Sequence, residues 1–335
     1  MDERRYRIRG PEPCDREPEA CIWNRVFPGE PRTAEELEQE ERVLAVPPML
    51  QVKLVAEDRR SGEAVGFGYL NTDPETFDPR TFWVGVMVDP DHQRRGVGLA
   101  LAAAVEREAK LRRATSMLAS ARLEDARGSR FLARQGFVEV RRRWRSRLDV
   151  DSSPPLPDRS AELARIGVTL TTLAEEGPER PDVLRKVWEL VRTAAADEPR
   201  IGRYTPLSFD LFLEWNRRCI ATMPEAFFLA RAGDRYVGVC HLDRFEAEPE
   251  SVHQLFTGTH PDWRGRGIAT ALKQRTVEFA RAHGYRSIRT SNDSLNGRMW
   301  AINEKMGFRR EREQVEAEKH LPGDEPGGSD VGTRV

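Results

Sequence analysis

The sequence predicts an α/β protein that contains two copies of one fold. Segments 90–98 and 261–269 both place a glycine-rich turn between a predicted strand and an amphipathic helix. The two segments keep a constant offset of 171 positions, which relates Pro90 to Pro261, Gly96 to Gly267 and Phe137 to Phe308. A chance match would not keep its register over that length, so the repeat indicates a duplication.

Length and composition fit two domains of ordinary size. The chain has 335 residues, of which 39% are hydrophobic, and a net charge of −1. This charge argues against nucleic-acid binding over the whole surface, although the many arginines could form local patches. The four cysteines lack metal-ligand spacing, so we expect buried thiols in a reducing compartment. Neither an apolar signal core nor a run of ~20 apolar residues occurs, which indicates a soluble, cytoplasmic protein.

The first copy is predicted over residues 1–150. Thr33 is a helix-capping residue type ahead of an acidic surface helix, and Gly136 suits the end of a helix. From Val97, apolar residues recur at helical spacing. We expect strands at 6–9, 51–56, 64–70, 82–88, 116–123 and 137–150, and helices at 33–42, from 97 onward and at 126–135. The arginine-rich run 141–147 is interpreted as a solvated edge strand.

The second copy is predicted over residues 161–320, after a linker at 151–160 that holds three prolines and three serines. We expect strands at 167–173, 226–231, 236–245, 251–259, 287–291 and from 308, and helices at 181–195, 208–220, 268–284 and 296–306. The Gly-, Pro- and Asp-rich end, 321–335, has the composition of a disordered tail.

The two glycine-rich loops predict anion binding. A helix that starts after such a loop presents free N–H groups and roughly +0.5 elementary charge, which suits a pyrophosphate. Arginines in both loops, Arg94 and Arg95 in the first and Arg264 and Arg266 in the second, could add charge-assisted hydrogen bonds. A single loop of this kind is weak support, because glycine turns before helices are common.

Both loops resemble the acetyl-CoA loop of the GNAT acyltransferase superfamily. The matching patterns are Gln93-x-x-Gly96-x-Gly98 and Arg264-x-x-Gly267-x-Ala269. The second copy also carries Asn296, Met299, Ile302, Asn303 and Gly307-Phe308, similar to the helix that precedes the last strand in that family. The resemblance covers about 51–148 and 165–320. The chain is therefore identified as a tandem member of the superfamily, and the resemblance leaves the acceptor open.

The resemblance implies a fold and a donor. Each copy would be a mixed, mostly antiparallel twisted sheet flanked by helices, and its fourth and fifth strands would splay apart to admit the pantetheine arm of acetyl-CoA or another acyl-CoA. The splays would lie between 251–259 and 287–291, and between 82–88 and 116–123. The acyl group would pass directly from the thioester to an amine. A backbone N–H near Phe256 would hold the thioester carbonyl.

The residues implied for cofactor binding lie in both copies. In the second copy they are Phe256, Thr257, Thr259, Arg264, Gly265, Arg266, Gly267, Ile268, Ala269, Asn292, Asn296 and Asn303. In the first copy they are Val86, Val88, Gln93, Arg94, Arg95, Gly96, Val97 and Gly98.

The chain departs from the family where a tyrosine would protonate the leaving thiolate. Leu132 and Asn303 occupy that position, and an asparagine cannot act as an acid. We expect catalysis in the second copy, because Asn296 and Asn303 share a polar helix face that the first copy lacks. The first copy is expected to be degenerate in catalysis, and either to bind acyl-CoA or to serve as a structural and substrate-shaping partner.

A general base is expected near the splay of the second copy, where it typically contributes about 10²–10⁴ in rate. His253 is the first candidate, and Asp243 and His241 on the neighbouring strand follow. Water is a further alternative.

Three functions stay open at this point. The leading one is an acyl-CoA-dependent N-acyltransferase that acts on a small amine, such as an amino sugar, an amino acid or an antibiotic-like metabolite. The second is an aminoacyl-tRNA-dependent transferase, whose arginines would follow the phosphates. The third is a non-catalytic acyl-CoA-binding module. Monomer and homodimer both remain compatible with the sequence.

Overall fold

The computed structural model of the chain describes residues 2, 4–155 and 157–322. From residue 323 onward the predicted tail lies outside the described residues, as does Leu156 of the predicted linker. The strands are β1 Tyr6–Arg9, β2 Gln51–Asp58, β3 Ala64–Asn71, β4 Thr81–Val88, β5 Ser116–Arg122, β6 Val138–Asp149, β7 Val168–Thr172, β8 Phe227–Ala232, β9 Arg235–Arg244, β10 Ser251–Thr259, β11 Ser287–Asp293 and β12 Arg309–His320.

Eleven α-helices accompany these strands within the described residues. They are α1 Arg16–Val26, α2 Ala34–Ala45, α3 Val97–Leu111, α4 Ala126–Arg134, α5 Ser160–Arg165, α6 Leu173–Glu176, α7 Pro181–Ala194, α8 Phe209–Trp215, α9 Arg217–Thr222, α10 Ile268–Ala282 and α11 Gly297–Lys305. Thr33 caps α2 as predicted, because its side chain accepts a hydrogen bond from the Glu36 N–H.

The strands form one sheet in the order β1-β2-β3-β4-β5-β12-β6-β11-β10-β9-β8-β7. Only the β4–β5 and β10–β11 pairs are parallel, and every other pair is antiparallel. The predicted mixed, mostly antiparallel sheet with flanking helices is confirmed. Helix α3 packs with Leu101 against the first half of the sheet, and α10 packs with Leu272 against the second half.

The repeat predicted from the sequence is present in the structure. At the offset of 171, β5, α4 and β6 have the same bounds as β11, α11 and β12, and α3 has the same bounds as α10. The short 3-10 turns Pro90–His92 and Pro261–Trp263 also correspond. The similarity is lowest in the elements before each glycine loop, where the lengths of helices and loops differ.

The two copies exchange their last strands. Strand β6, which follows the first copy in sequence, pairs with β11 of the second, and β12 pairs with β5 of the first. β6 and β12 also pair with each other at the centre of the sheet. The expectation of a solvated edge strand at 141–147 is therefore wrong. Arg141 there is buried in ion pairs with Asp293 and Glu316, both at 2.8 Å. The division of the chain at 151–160 stays a prediction.

Both predicted splays are visible in the strand pairing. The parallel ladder between β10 and β11 ends after three residue pairs, Ser251–Ser287 to His253–Arg289. The ladder between β4 and β5 also ends after three, from Thr81–Ser116 to Trp83–Leu118. β10 contains a bulge at Leu255, whereas β4 pairs with β3 without a shift in register. The two clefts therefore differ in backbone geometry at their mouths.

The structure differs from the predictions in three smaller respects. Helix α1 was not predicted, because the prolines around it obscure its pattern. The helix expected at 208–220 is divided into α8 and α9 at Asn216. Cys219 and Cys240 are buried as expected, but Cys14 and Cys21 are exposed, so the expectation of buried thiols is wrong for those two.

Candidate active site

The two glycine loops share one backbone conformation. Gly96 and Gly267 precede their helices in the left-handed region, both with φ of 80°. Two positions earlier, Gly265 has φ of 74° and Arg94 has φ of 62°. A left-handed residue with a Cβ costs about 1–2 kcal/mol, so the first loop holds a strained arginine where the second holds glycine. Backbone geometry alone leaves both loops able to bind an anion.

The first residue of each loop fastens it to the preceding strand. Arg264 Nε donates to the Thr259 carbonyl at 3.2 Å, and Gln93 Nε2 donates to the Val88 carbonyl at 3.1 Å. Arg264 also contacts Asp197, so its charge is shared with the protein. Arg266 is exposed and lies over the Trp263 ring, with 4.7 Å between its guanidinium carbon and the ring centroid. Of the two predicted arginines, Arg266 is thus the more available to a ligand.

The remaining predicted loop residues act through the backbone or the core. Ile268 and Val97 are buried beneath their loops and leave only backbone groups at the surface. Ala269 and Gly98 occupy the next position in each helix, and in the first copy a Cβ at Gly98 would lie 3.6 Å from Val88. Arg95 Nη1 donates to Tyr6 Oη at 3.5 Å.

An arginine that was not predicted lies beside the second loop. A Cβ placed on Gly267 would come within 2.7 Å of the Arg159 guanidinium. Arg159 pairs with Glu162 through Nη2 at 2.6 Å, and its buried Nε has no hydrogen-bond partner among the described residues. It escaped prediction because it belongs to the linker, outside the repeated segment.

A polar cavity of about 130 Å³ lies at the splay between β10 and β11. Residues of the second copy that line it include Glu198, Arg200, Gln254, Leu255, Thr257, Thr290, Asn292, Asp293, Asn296 and Met299. The first copy contributes Asp73, Glu75, Thr76, Trp83, Arg141 and Arg143, from the β3–β4 loop, β4 and β6. The cleft of the second copy is therefore closed partly by the first copy.

The cavity floor rests on a buried polar chain. Lys273 Nζ donates to Gln254 Oε1 at 2.5 Å, and Gln254 Nε2 donates to Thr257 Oγ1 at 3.1 Å. Thr290 Oγ1 donates to the Gln254 carbonyl at 3.1 Å across the opening of the splay. Burial lowers the pKa of Lys273 to about 8. In the first copy the positions of Lys273, Gln254 and Thr257 are taken by Ala102, Trp83 and Val86.

Asn303 supports this floor from below. It is fully buried, and its Nδ2 donates to Asn292 Oδ1 at 2.8 Å. Asn292 in turn lines the cavity. Asn296 also lines the cavity and caps α11 by accepting from the Met299 N–H. The predicted polar face thus divides between the cavity and the interior. On the same helix, Trp300 packs against Arg310, with 4.6 Å between the guanidinium carbon and the ring centroid.

The predicted general bases lie away from the cavity. His253 Nε2 is 2.8 Å from Glu248 Oε2, and burial lowers the pKa of its imidazole. Asp243 is paired with Arg218 at 2.7 Å. His241 is buried and stacked on Phe227, and burial lowers its pKa to about 4. None of these three side chains lines the cavity. Their catalytic role stays a prediction.

The remaining predicted residues occupy β10 and β4. Phe256 packs against the core beneath α7, and Thr257 Oγ1 lies 3.1 Å from Cys240 Sγ. Thr259 Oγ1 is buried without a hydrogen-bond partner among the described residues, at the point where β10 enters the loop. Val86 and Val88 of the first copy pack against the core formed with Val97 and Leu101.

At the end of β5 the first copy carries a buried ion-pair cluster. The loop 27–33 between α1 and α2 carries Glu30, whose buried carboxylate pairs with Arg122 at 3.0 Å and Arg145 at 2.7 Å. Phe27 lies under the Arg122 guanidinium, 4.6 Å from its central carbon to the ring centroid. Arg122 occupies the position that Asp293 holds in the second copy. The equivalent positions thus carry opposite charges, and each is paired: Asp293 with Arg141 and Arg122 with Glu30.

The residues of the second loop fit a phosphate-bearing ligand. The space beside Gly265 is open, since a Cβ there would meet no heavy atom within 4 Å. Arg266 in the same loop is exposed, and two buried polar atoms, Thr259 Oγ1 and Arg159 Nε, have no hydrogen-bond partner among the described residues. Donors and cations around an open backbone turn are the groups that bind pyrophosphate. Among the described residues, no group of three or more His, Cys, Asp or Glu side chains could hold a metal ion.

Comparison with known proteins identifies the family. The sequence model of the acetyltransferase (GNAT) family matches twice, over residues 19–137 and 188–308. A mycothiol acetyltransferase from Nocardiopsis dassonvillei is 27% identical over 268 residues, which span 74% of this chain and 76% of that protein. Both predicted copies are thereby covered by the family match.

Solved structures share the whole architecture. A GCN5-related N-acetyltransferase from Sphaerobacter thermophilus has a TM-score of 0.71 and 22% identity, and covers 96% of this chain and 98% of its own. A tandem GNAT protein from the clavulanic acid biosynthesis pathway has a TM-score of 0.72 and 20% identity, with 95% and 100% covered. At this identity the likeness establishes the fold. No helix in the part of the chain that the structure describes is long and apolar enough to cross a membrane.

Proposed function

This chain belongs to the GNAT family of acetyltransferases, and we propose that its second copy transfers the acetyl group of acetyl-CoA directly to the primary amine of a small metabolite. The observation that carries the proposal is the polar cavity at the splay of β10 and β11, because β10 is also the strand that leads into the loop 264–268. Strand β10 connects the two regions, because it lines the cavity with Gln254, Leu255 and Thr257 and ends at Thr259 before the loop.

The donor would be held by the second glycine loop. Acetyl-CoA supplies a thioester whose carbonyl carbon an amine attacks and whose thiol then leaves. The backbone N–H groups at the start of α10, together with Arg159 and Arg266, would bind its phosphates. Gly267 keeps that surface open, because any side chain there would meet Arg159.

The bulge in β10 provides the polarising group. Leu255 has no partner on β9, so a backbone N–H at this point of β10 is released from the ladder. A fixed N–H beside the cleft can stabilise the negative charge that develops on a carbonyl oxygen. Gln254, held by Lys273 below and by Thr290 across the opening, fixes the bulge in place.

Asn303 supports the site without acting as an acid. It is fully buried and positions Asn292, which lines the cavity. A thiolate is a good leaving group near neutral pH, so its proton can come from solvent. The role assigned to Asn303 is therefore structural support of the cleft wall.

A small acceptor fits the charges around the cavity. Carboxylates at Glu75 and Glu198 suit an ammonium group, and guanidinium groups at Arg143 and Arg200 suit further polar or anionic groups. The related mycothiol acetyltransferase and the tandem GNAT protein from clavulanic acid biosynthesis are named for small metabolites. These names support an amino sugar, an amino acid or an antibiotic-like amine as the acceptor class.

The test is thiol release from acetyl-CoA by the full chain with a panel of amino sugars, amino acids and diamines. We expect saturable release of CoA with a subset of the amines, and a mass increase of one acetyl group on the amine. Stabilisation by acetyl-CoA in a thermal unfolding assay without release by any amine would support a non-catalytic binding module instead. Absence of binding to acetyl-CoA together with transfer from aminoacyl-tRNA would overturn the proposal.

A further inference from the structure

Two carboxylates in the cavity share one ion-pairing guanidinium. Glu198 follows the 3-10 turn Ala195–Asp197 after α7, and Glu75 lies in the β3–β4 loop of the first copy. Arg200 Nη2 is 3.4 Å from Glu198 Oε2 and 4.0 Å from Glu75 Oε1. One guanidinium therefore serves two acids, and it also donates to the Ala195 carbonyl at 2.8 Å.

The other acids of the cavity are already used by the fold. Asp73 accepts from Trp83 Nε1 at 3.1 Å and from the N–H groups of Glu75 and Thr76. Asp293 pairs with Arg141 at 2.8 Å and accepts from the Leu295 N–H. Among the described acids that line the cavity, Glu75 and Glu198 remain for a ligand.

Contacts between the copies hold these two acids in place. The Thr205 N–H donates to the Glu75 carbonyl at 2.7 Å, which joins the two loops that carry them. Arg141 Nη1 donates to the Pro199 carbonyl at 3.2 Å, next to Glu198. Hydrogen bonds between the two copies therefore hold the loops that carry the two carboxylates at the cavity.

We propose that Glu198 is the general base that takes a proton from the acceptor ammonium, and that Glu75 of the first copy is a positioning residue that keeps Glu198 basic. The inference rests on the proposed N-acetyltransferase function. Under this proposal, a residue of the first copy contributes to the reaction that the second copy catalyses.

The charges that face Glu198 support this assignment. Burial raises the pKa of Glu198 to about 7, and the neighbouring Glu75 raises it further against the opposing effect of Arg200, Arg143 and Arg141. Burial also raises the pKa of Glu75. A base is most effective when its pKa lies near the working pH. His253 does not meet this requirement, because burial lowers its pKa and Glu248 occupies its Nε2.

The proton balance of the transfer is complete. The ammonium gives one proton to Glu198, and the nitrogen lone pair forms the C–N bond while the C–S bond breaks with its electron pair on sulfur. The nitrogen loses a second proton, which solvent relays to the thiolate. The products are an amide, CoA thiol and the proton that Glu198 returns to water.

The first test does not depend on activity. Protein labelled with ¹³C at the glutamate carboxyl group is titrated by NMR, with Glu198→Gln, Glu75→Gln and the exposed control Glu225→Gln. We expect one carboxyl resonance to titrate near pH 7, to be absent in Glu198→Gln, and to titrate at lower pH in Glu75→Gln. A spectrum without a carboxyl that titrates near neutral pH in the wild type would overturn the proposal.

The second test uses the panel amine that gives the fastest CoA release. For the wild type kcat/KM should rise with pH through about 7, because only ionised Glu198 accepts a proton. Glu198→Gln should lower kcat about 10²–10⁴-fold and remove this dependence, with the Kd for acetyl-CoA unchanged. Glu75→Gln should shift the rise to lower pH. Glu225→Gln should match the wild type.

The outcomes separate the two proposals. Wild-type turnover with an unchanged pH profile in Glu198→Gln would overturn the role of Glu198 and leave the N-acetyltransferase function standing. Failure of the wild type to release CoA with every amine would overturn the function, and the inference with it.

Discussion

The two copies share a backbone and differ in the polar and charged side chains around their fourth and fifth strands. In the second copy the space between β10 and β11 is a cavity above a buried chain of Lys273, Gln254 and Thr257. In the first copy, the loop 27–33 brings Glu30 into a buried ion pair with Arg122 at the end of β5. Duplication preserved the scaffold, and substitutions at a few positions made the two clefts different, as a division between a catalyst and a supporting partner would require.

Blocking each glycine loop in turn should produce the largest difference between the two copies. Gly267→Glu places a side chain at a φ of 80°, against Arg159, and adds a negative charge where phosphate should bind. We expect the Kd for acetyl-CoA to rise more than about 100-fold, and transfer to disappear. Gly96→Glu carries the same backbone strain and should leave both within about twofold. Loss of transfer in Gly96→Glu with normal turnover in Gly267→Glu would reverse the assignment of the copies.

The buried ion pairs of Glu30 in the first copy predict a large effect on stability. Glu30→Ala leaves Arg122 and Arg145 without their buried partner, which costs about 3–5 kcal/mol of unfolding free energy when a buried pair is broken. Urea denaturation would measure this loss. An exposed control, Glu35→Ala, should change the unfolding free energy by less than about 0.5 kcal/mol. Equal stability of Glu30→Ala and the wild type would show that the loop does not hold the first copy together.

Substitution of Lys273 beneath the cavity should lower activity and leave stability nearly unchanged. Lys273→Met removes the bond to Gln254 and also removes a charge whose burial is costly. We expect kcat to fall about 10–100-fold, because the bulge of β10 loses its support, while the unfolding free energy stays within about 1 kcal/mol. Ala102→Met, at the matching position of the first copy, should leave kcat unchanged. A normal kcat in Lys273→Met would show that the hydrogen bond from Lys273 to Gln254 does not contribute to catalysis.

Among these substitutions, removal of the linker arginine Arg159 should change activity the least. Arg159 lies beside Gly267, and the repeat has no equivalent of it in the first copy. Arg159→Ala should raise the KM for acetyl-CoA about 3–10-fold with kcat unchanged, since a partly exposed charge-assisted contact contributes about 1 kcal/mol. Arg165→Ala, an exposed substitution in α5, is the matched control. An effect on kcat instead of KM would contradict a role for Arg159 in donor binding.

The sequence predicted the parts of the molecule that depend on local pattern. The repeat, the glycine loops and nearly all strands follow from spacing and capping residues, and these were confirmed. It did not predict the exchange of β6 and β12, because pairing between distant strands leaves no local signal in their residues. For the same reason Arg141 looked like part of a solvated edge, although it is buried between Asp293 and Glu316.

The candidate site shows the same limit. The predicted donor loop could be read from Gly267, which has a left-handed φ of 80° that favours glycine, as Gly96 does in the first copy. Glu198 could not be found, because it lies in an irregular loop and gains its environment from Glu75, 123 positions away in sequence. A comparison of equivalent positions, such as Lys273 with Ala102, was the one signal in the sequence that would have located the polar floor.

Hydrogen–deuterium exchange with and without acetyl-CoA tests the central claim most directly, because it reports on both loops in one experiment. We expect acetyl-CoA to slow exchange of the amides in 264–270 and along the β10 bulge, and to leave the amides in 93–99 unchanged. Protection of 93–99 without protection of 264–270 would contradict the assignment of the second copy as the catalyst.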